Sequence, residues 1–147
     1  MPGKVFGNDV GMYTYSPGLG NVGAYQVSGI PYAISSSAVT TTVTQVTFPY
    51  VTNWVYIVQH TNDDLRIGFS QNGVNGTNFF LLPGVGTNGQ STTGQLPVKV
   101  SSLFFRCDNT AKTIPFYVVA GLTGINTYEL ASSGPSGANW SGSAGVG

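Results

Sequence analysis

The side chains best suited to catalysis or metal binding lie in one short segment, where His60 is followed by Asp63 and Asp64. Paired carboxylates serve glycosidases and Ca²⁺ sites, and a histidine can act as a general base or a metal ligand. The intervening Thr61 and Asn62 give the segment the composition of a tight turn, in which Asp and Asn side chains hydrogen-bond the nearby backbone. Adjacent carboxylates in such a turn usually point apart, so we interpret the pair as turn-forming.

The chain has too few other titratable side chains to build a catalytic site. His60 is the single histidine and Cys107 the single cysteine, so neither a disulfide nor a zinc site can be assembled within the chain. The glycine-rich stretches lack the Lys and Ser/Thr of a phosphate-binding loop, and no nucleophile-elbow pattern is present. We expect no enzyme, no cofactor and no metal, and we interpret Cys107 as a buried strand residue.

Charge is scarce throughout the chain. Its 147 residues have a formal net charge of +0, and 7% of them are charged, against about 25% in an average domain. Five Lys and Arg residues are too few to neutralise a nucleic-acid backbone. Residues 1–10 lack the apolar core of a signal peptide, and no apolar run approaches the roughly 20 residues that span a bilayer. We expect no nucleic-acid partner and no membrane insertion.

The pattern of the chain favours β-structure. Short runs rich in Val, Thr, Tyr and Phe alternate with Gly, Pro, Asn and Ser, which is typical of an all-β sandwich or barrel. Seven to nine strands are predicted. Leu96–Val100 and Leu103–Cys107 are expected to form one strand with a bulge at Ser101-Ser102, and Ala24–Ser28 and Tyr32–Ser35 are short strand pieces. The other predicted strands are Gly11–Tyr15, Thr40–Phe48, Trp54–His60, Leu65–Ser70, Asn78–Leu82, Ile114–Ala120 and Tyr128–Leu130. Residues 54–70 are expected to form a hairpin, and residues 108–112 a second hairpin loop.

These strands predict one antiparallel two-sheet sandwich, a single jelly roll of about eight strands. An immunoglobulin-like sandwich is the alternative, although antibody domains have a Cys–Trp–Cys pattern that this chain lacks. Residues 1–22 are expected to form an irregular arm, residues 23–131 the jelly-roll domain, and residues 132–147 a Gly/Ser-rich tail. Gly29-Ile30-Pro31 is predicted as a turn, Gln71–Thr77 and Pro83–Gln95 as loops, and Trp54 as a core residue.

The neutral composition points to assembly. A free monomer usually carries about 25–35% charged residues on its surface, whereas this chain offers mostly Ser, Thr, Asn, Gln and Gly. Aromatic residues outside the main strands suit subunit contacts and sugar stacking equally well. The candidate subunit contacts are Tyr13, Tyr15, Gln71, Asn72, Asn75 and Trp140.

Four runs of residues carry a resemblance to a known family. They read FPYVTNWVYI at 48–57, LRIGFSQNGV at 65–74, FFLLP at 79–83 and VVAGLTGI at 118–125. In the residue content of these runs and in their order along the chain, roughly residues 23–125 resemble the single jelly-roll penton (vertex) proteins of large icosahedral double-stranded DNA viruses.

The resemblance implies a structural virion protein at the capsid vertex. Such a protein is expected to form a homopentamer, to contact neighbouring major or minor capsid proteins, and to have no catalytic residues. Two alternatives stay open. One is a minor or decoration capsid protein. The other is a lectin-like module that binds a host-surface glycan through Trp140, the tyrosines, and Asp63 and Asp64 with Ca²⁺.

Overall fold

Eight strands and two short helical segments make up the part of the chain that the computed structural model describes, residues 29–39, 42–86, 88–108 and 112–129. The strands are β1 (Ile30–Val39), β2 (Thr44–Thr47), β3 (Thr52–Gln59), β4 (Leu65–Gly68), β5 (Phe79–Leu82), β6 (Ser91–Leu96), β7 (Ser102–Cys107) and β8 (Thr113–Leu122). A one-turn helix, α1 (Gln71–Asn75), precedes β5, and a 3₁₀ turn (Thr127–Glu129) follows β8.

The strands pair in a nested antiparallel order. β1 pairs with β8, β2 with β7, β3 with β6, and β4 with β5. Two further ladders, β3 with β8 and β4 with β7, join these pairs into a first sheet, β1-β8-β3-β6, and a second sheet, β2-β7-β4-β5. This arrangement is the eight-stranded jelly roll, so the predicted fold class is confirmed. The immunoglobulin-like alternative, with its ABED and CFG sheets, does not fit this order.

The core lies between the two sheets and follows the two-residue period of the strands. Along β8, the side chains of Ile114, Phe116, Val118 and Ala120 are buried, as their predicted alternation requires. Phe116 stacks on Phe105 of β7, with ring centroids 4.1 Å apart and planes 24° from parallel. Such aromatic pairs add roughly 0.5–1.5 kcal/mol beyond the area they bury. Cys107 is buried in the same core, as predicted.

The two predicted hairpins are wrong. β3 belongs to the first sheet and β4 to the second, so the connection between them crosses the sandwich. β7 and β8 likewise lie in opposite sheets, so the segment near Asp108 is also a crossing. The turn residues do reverse the chain, but nothing in a local turn decides whether the next strand pairs with the previous one.

The buried side chain of Gln59 fixes the first of these crossings. Its Nε2 donates to the backbone carbonyls of Asp63, Leu82 and Pro83 at 3.0, 3.1 and 2.9 Å. Its Oε1 accepts a hydrogen bond from Thr61 Oγ1 at 2.6 Å. One amide therefore ties the end of β3 to the crossing loop and to the end of β5.

Several strand boundaries differ from those predicted. Ile30 and Pro31 begin β1 and do not form a turn, because an edge strand tolerates a residue without an N–H. Pro115 lies one residue before the stretch of β8 that pairs with β3, so its missing N–H falls outside that ladder. The predicted loop Pro83–Gln95 contains most of β6, whose polar composition hid its strand character.

Other predictions fall partly or wholly on residues that the structure does not describe. The strand predicted over Thr40–Phe48 is limited to Thr44–Thr47, and residues 40 and 41 lie outside the described ranges. The predicted final strand is a 3₁₀ turn over Thr127–Glu129. The predicted strands at 11–15 and 24–28, and the predicted arm and tail, lie outside the described residues.

Trp54 is not a core residue. It lies half-buried on the outer side of the first sheet, where its indole covers Gly121 of β8. A Cβ at position 121 would come within 2.3 Å of Trp54 Nε1. Glycine at this position therefore allows the ring to lie flat on the sheet.

We expect Gln59→Met to lower the free energy of unfolding by about 3 kcal/mol, because each buried carbonyl left without a donor costs about 1–3 kcal/mol. Gln45→Met, at an exposed position of β2, is the matched control and should change it by less than about 0.5 kcal/mol. Urea denaturation measures both variants. Equal stability of the two would contradict this role for Gln59.

Candidate assembly surfaces

The outer side of the second sheet is covered in part by the chain itself. Helix α1 lies on β4, where a Cβ at Gly68 would come within 2.5 Å of Val74 Cγ2. Val74, a residue of the helix, is fully buried against the sheet. Ser70 begins the helix, and its Oγ accepts a hydrogen bond from the Gly73 amide at 2.9 Å. The loop predicted at Gln71–Thr77 is therefore partly a capped helix, which its two Asn-Gly dipeptides did not indicate.

Two arginines on the second sheet hold this helix in place. Arg66 Nη1 donates to the Val74 carbonyl at 3.1 Å, and Arg66 Nε forms an ion pair with Asp108 at 2.6 Å. The same guanidinium lies 4.2 Å from the centroid of the Phe79 ring. Arg106 Nη1 donates to Asn75 Oδ1 at 3.0 Å. Both guanidinium groups thus bind their own chain.

The outer side of the first sheet is different, because β1, β3, β6 and β8 contain no Asp, Glu, Lys or Arg. Cross-strand pairing places two rows of side chains across this side of the sheet, one through Val119 and one through Tyr117. We call this surface the uncharged face, and its residues are Ala33, Ser35, Trp54, Tyr56, Val58, Thr92, Gln95, Tyr117 and Val119. Tyr117 is 47% exposed and Val119 39% exposed, both on the central strand β8.

The uncharged face is large enough to bind a partner. Strands lie about 4.8 Å apart and advance about 3.3 Å per residue, so four strands over about eight residues present on the order of 500 Å². Exposed apolar patches of a few hundred Å² often mark interaction sites. A standard interface buries about 800 Å² on each partner. The face is therefore as large as a typical exposed interaction patch and smaller than one side of a standard interface.

A second apolar feature lies at the start of β5, the edge strand of the second sheet. A cavity of about 320 Å³ is lined there by residues on either side of α1 in the sequence, and we call it the aromatic pocket. Its lining residues are Phe69, Thr77, Asn78, Phe79 and Phe80. Phe69 is 40% exposed, and nearby Leu81 on β5 is 44% exposed. Both sheets therefore carry exposed apolar side chains.

The turn that contains the acidic pair has a structural role. Asp64 Oδ1 accepts a hydrogen bond from the Gly84 amide at 2.8 Å, and the Asp64 carbonyl accepts one from the Asp108 amide at 3.0 Å. The Asp63 carbonyl accepts from Gln59. Within the described ranges, no group of three or more His, Cys, Asp or Glu side chains is placed to hold a metal ion. In the same part of the chain, no helix is long and apolar enough to cross a membrane.

The candidate contacts from the sequence are placed as follows. Gln71 and Asn72 are exposed on α1, and Asn75 is exposed while its side chain accepts the hydrogen bond from Arg106. Tyr13, Tyr15 and Trp140 lie outside the described residues. Sequence reasoning missed the uncharged face, although the absence of charge from four neighbouring strands was a readable signal. Only the strand order shows that these four strands form one sheet.

Comparison with known proteins gives no relative. No protein-family model matches the sequence, and no curated protein or solved structure matches it either.

We expect Ser70→Ala to destabilise the protein by about 1 kcal/mol, because the first turn of α1 loses its capping oxygen. Amide hydrogen exchange at residues 73–76 should accelerate more than exchange at the core amides of β7. Ser37→Ala, at an exposed position of β1 outside the uncharged face, is the control and should leave both unchanged. Unaltered exchange in α1 of the Ser70 variant would contradict the capping role.

Proposed function

We propose that this chain is a structural virion protein, a capsid vertex (penton) subunit that associates into a homopentamer and contacts neighbouring capsid proteins. The observation that carries the proposal is the uncharged face of a jelly-roll sheet. In an antiparallel sandwich, the solvent side of a sheet usually carries polar and charged residues. Here the central strand exposes Tyr117 and Val119 instead, and burying such side chains against a partner is favourable.

The charge distribution supports identical copies as that partner. Like charges brought together at an interface cost several kcal/mol. The four strands of the uncharged face contribute no such repulsion. Aromatic residues are enriched in interface cores, where charged residues are depleted. The composition of the face therefore resembles the core of a subunit interface.

The described arginines support protein partners over nucleic acid. Arg66 and Arg106 both donate hydrogen bonds within the chain, to Val74 and Asn75. Arg66 is also paired with Asp108. Phosphate binding would require these guanidinium groups to leave their present partners, and nucleic-acid affinity depends on several such cations acting together.

The same face supports a second candidate, the lectin-like module. Tyr56 and Tyr117 lie on neighbouring strands of the face, with Gln95 and Thr92 beside them on β6. Aromatic rings that combine an apolar face with a polar end suit sugar rings, which are likewise apolar on one side and rich in hydroxyls. A glycan array read with and without a calcium chelator tests this candidate, and absence of binding under both conditions would remove it.

We expect sedimentation velocity to show one discrete species of about 76 kDa, five times the monomer mass of 15.3 kDa. The expected cause is burial of the uncharged face between copies. On dilution the pentamer should be replaced by monomer. A strict monomer over the whole concentration range would contradict self-association. It would leave the glycan candidate to be tested first.

We also expect the association to be insensitive to salt. Ionic strength between about 0.05 and 0.5 M screens contacts between exposed charges, and the uncharged face has none. The association constant should therefore change by less than about threefold across that range. A fall of tenfold or more with added salt would show that ion pairs, and not this face, hold the copies together.

A further inference from the structure

The first strand, β1, forms a long sheet edge that has no protection against pairing with another strand. It runs over Ile30–Val39 in an unbroken register with β8, and it contains no charged residue. The other edge strands of the described chain are shorter. β2 and β5 have four residues each, and β6 has six with an irregular register against β3. Short edges, charged side chains and bulges normally prevent strands of two molecules from pairing, and β1 has none of these devices.

The ladders of the first sheet determine which backbone groups of β1 point to its free edge. The Ile57 amide on β3 donates to Thr93 Oγ1 on β6 at 3.1 Å, so Ile57 directs its backbone groups away from β8. Because these directions alternate along a strand, Val58 faces β8, and Tyr117, which is paired with Val58, faces β3. Applied across β8, the same alternation directs the even-numbered residues of β1 to β8 and the odd-numbered residues to the free edge.

The free edge of β1 has a pattern of donors and acceptors that is complementary to itself. Ala33 and Ser35 each present an N–H and a C=O, and neither group is hydrogen-bonded within the described part of the chain. Pro31 has no N–H and presents only its C=O. Ser37 presents its N–H, because its C=O already accepts a hydrogen bond from Thr44 Oγ1 at 2.9 Å. The order from Pro31 to Ser37 is acceptor, both, both, donor, which matches itself when one strand is reversed.

We propose that β1 of one copy pairs antiparallel with β1 of a second copy, about a two-fold axis beside Ile34. In this register Pro31 lies opposite Ser37 of the second copy, and Ala33 lies opposite Ser35. The missing N–H of Pro31 then faces the C=O that is already bonded to Thr44, and every other edge group gains a partner. A shift by two residues would direct the Ala33 N–H at that occupied C=O. The register is therefore determined by the strand itself.

The side chains of β1 also fit this register. Ile34 lies opposite its own copy at the axis, in a pair without hydrogen bonds, where Cα atoms come about 4.5 Å apart. Its side chain is half-buried at the margin of the core, so the second copy covers the part that is exposed. On the outer side, Ala33 and Ser35 are small and uncharged, and like charges opposite each other, which would destabilise the pair, are absent from the strand.

This contact goes beyond the proposed ring and does not depend on it. A two-fold contact is isologous and joins two copies, whereas a ring of five requires heterologous contacts. The β1 contact therefore joins a copy to one outside its own ring. One strand edge of about seven residues buries much less than the roughly 800 Å² per partner of a standard interface. We therefore expect the pairing at high protein concentration, above that at which the ring forms.

Cysteines at exposed positions test the register. Ala33→Cys in one chain and Ser35→Cys in another place two thiols opposite each other, at a Cα separation of about 5.5 Å that a disulfide spans. With oxidised glutathione at high protein concentration, an equimolar mixture should give at least about tenfold more disulfide dimer than either variant alone. A mass tag on one chain identifies the mixed dimer. The native Cys107 is buried and does not compete.

The matched control is a mixture of Ala33→Cys with Ser37→Cys, which has the same chemistry in a shifted register. This mixture should give no more dimer than either of its variants alone, because the two Cα atoms lie beyond the range of about 7 Å that a disulfide spans. Circular dichroism confirms that all three variants fold. Equal cross-linking in both mixtures, or none in either, would overturn the inference.

Amide hydrogen exchange of the wild-type protein gives a second measurement. Raising the protein concentration should slow exchange at Ala33, Ser35 and Ser37 by at least about tenfold. Exchange at Ile34 and Ser36, whose amides already bond to β8, should not change. Slow exchange at the odd-numbered amides in dilute protein would show that the edge is already covered, and would also overturn the inference.

The two proposals fail separately. A five-copy species without the specific cross-link would overturn the β1 contact and leave the proposed ring standing. The specific cross-link without a five-copy species would support the β1 contact and contradict the ring.

Discussion

The aromatic stack buried between the two sheets determines which side chains of β7 and β8 face the core. Phe116 on β8 must face Phe105 on β7, and successive residues of a strand point to opposite sides. With Phe116 and Val118 inside, Tyr117 and Val119 are necessarily outside. The uncharged face is therefore the geometric complement of the core. A one-residue slip of β8 would exchange the two sets.

The outer sides of the two sheets differ in whether a segment of the chain covers them. On the second sheet, Phe104 and Val74 are buried because α1 lies over the strands, and Arg66 and Arg106 hold the helix there. On the first sheet, no described segment takes that position over Tyr117. The outer sides of the two sheets therefore differ in character.

Several charged residues form hydrogen bonds at the crossings between the two sheets. Asp108 and Asp64 lie where the chain crosses between the sheets, and each makes a hydrogen bond that ties one crossing to another segment. Arg66 joins the crossing at Asp108 to α1. Asp64, Asp108 and Arg66 therefore tie connections between strands to other segments, whereas the strands of the first sheet contain only apolar and neutral polar residues.

The amino-acid sequence by itself determined the strand-rich composition, the alternation along β8, the buried cysteine and the scarcity of charge, because these depend on residue type and on a two-residue period. The tertiary structure alone decided that β3 and β4 belong to different sheets, that α1 forms over Gly68, and that Trp54 lies on Gly121. A turn such as Thr61–Asp64 has the same composition whether the next strand pairs with the last one or crosses the sandwich. The choice depends on contacts distant in sequence, such as those of Gln59 with Leu82 and Pro83, which no local pattern records.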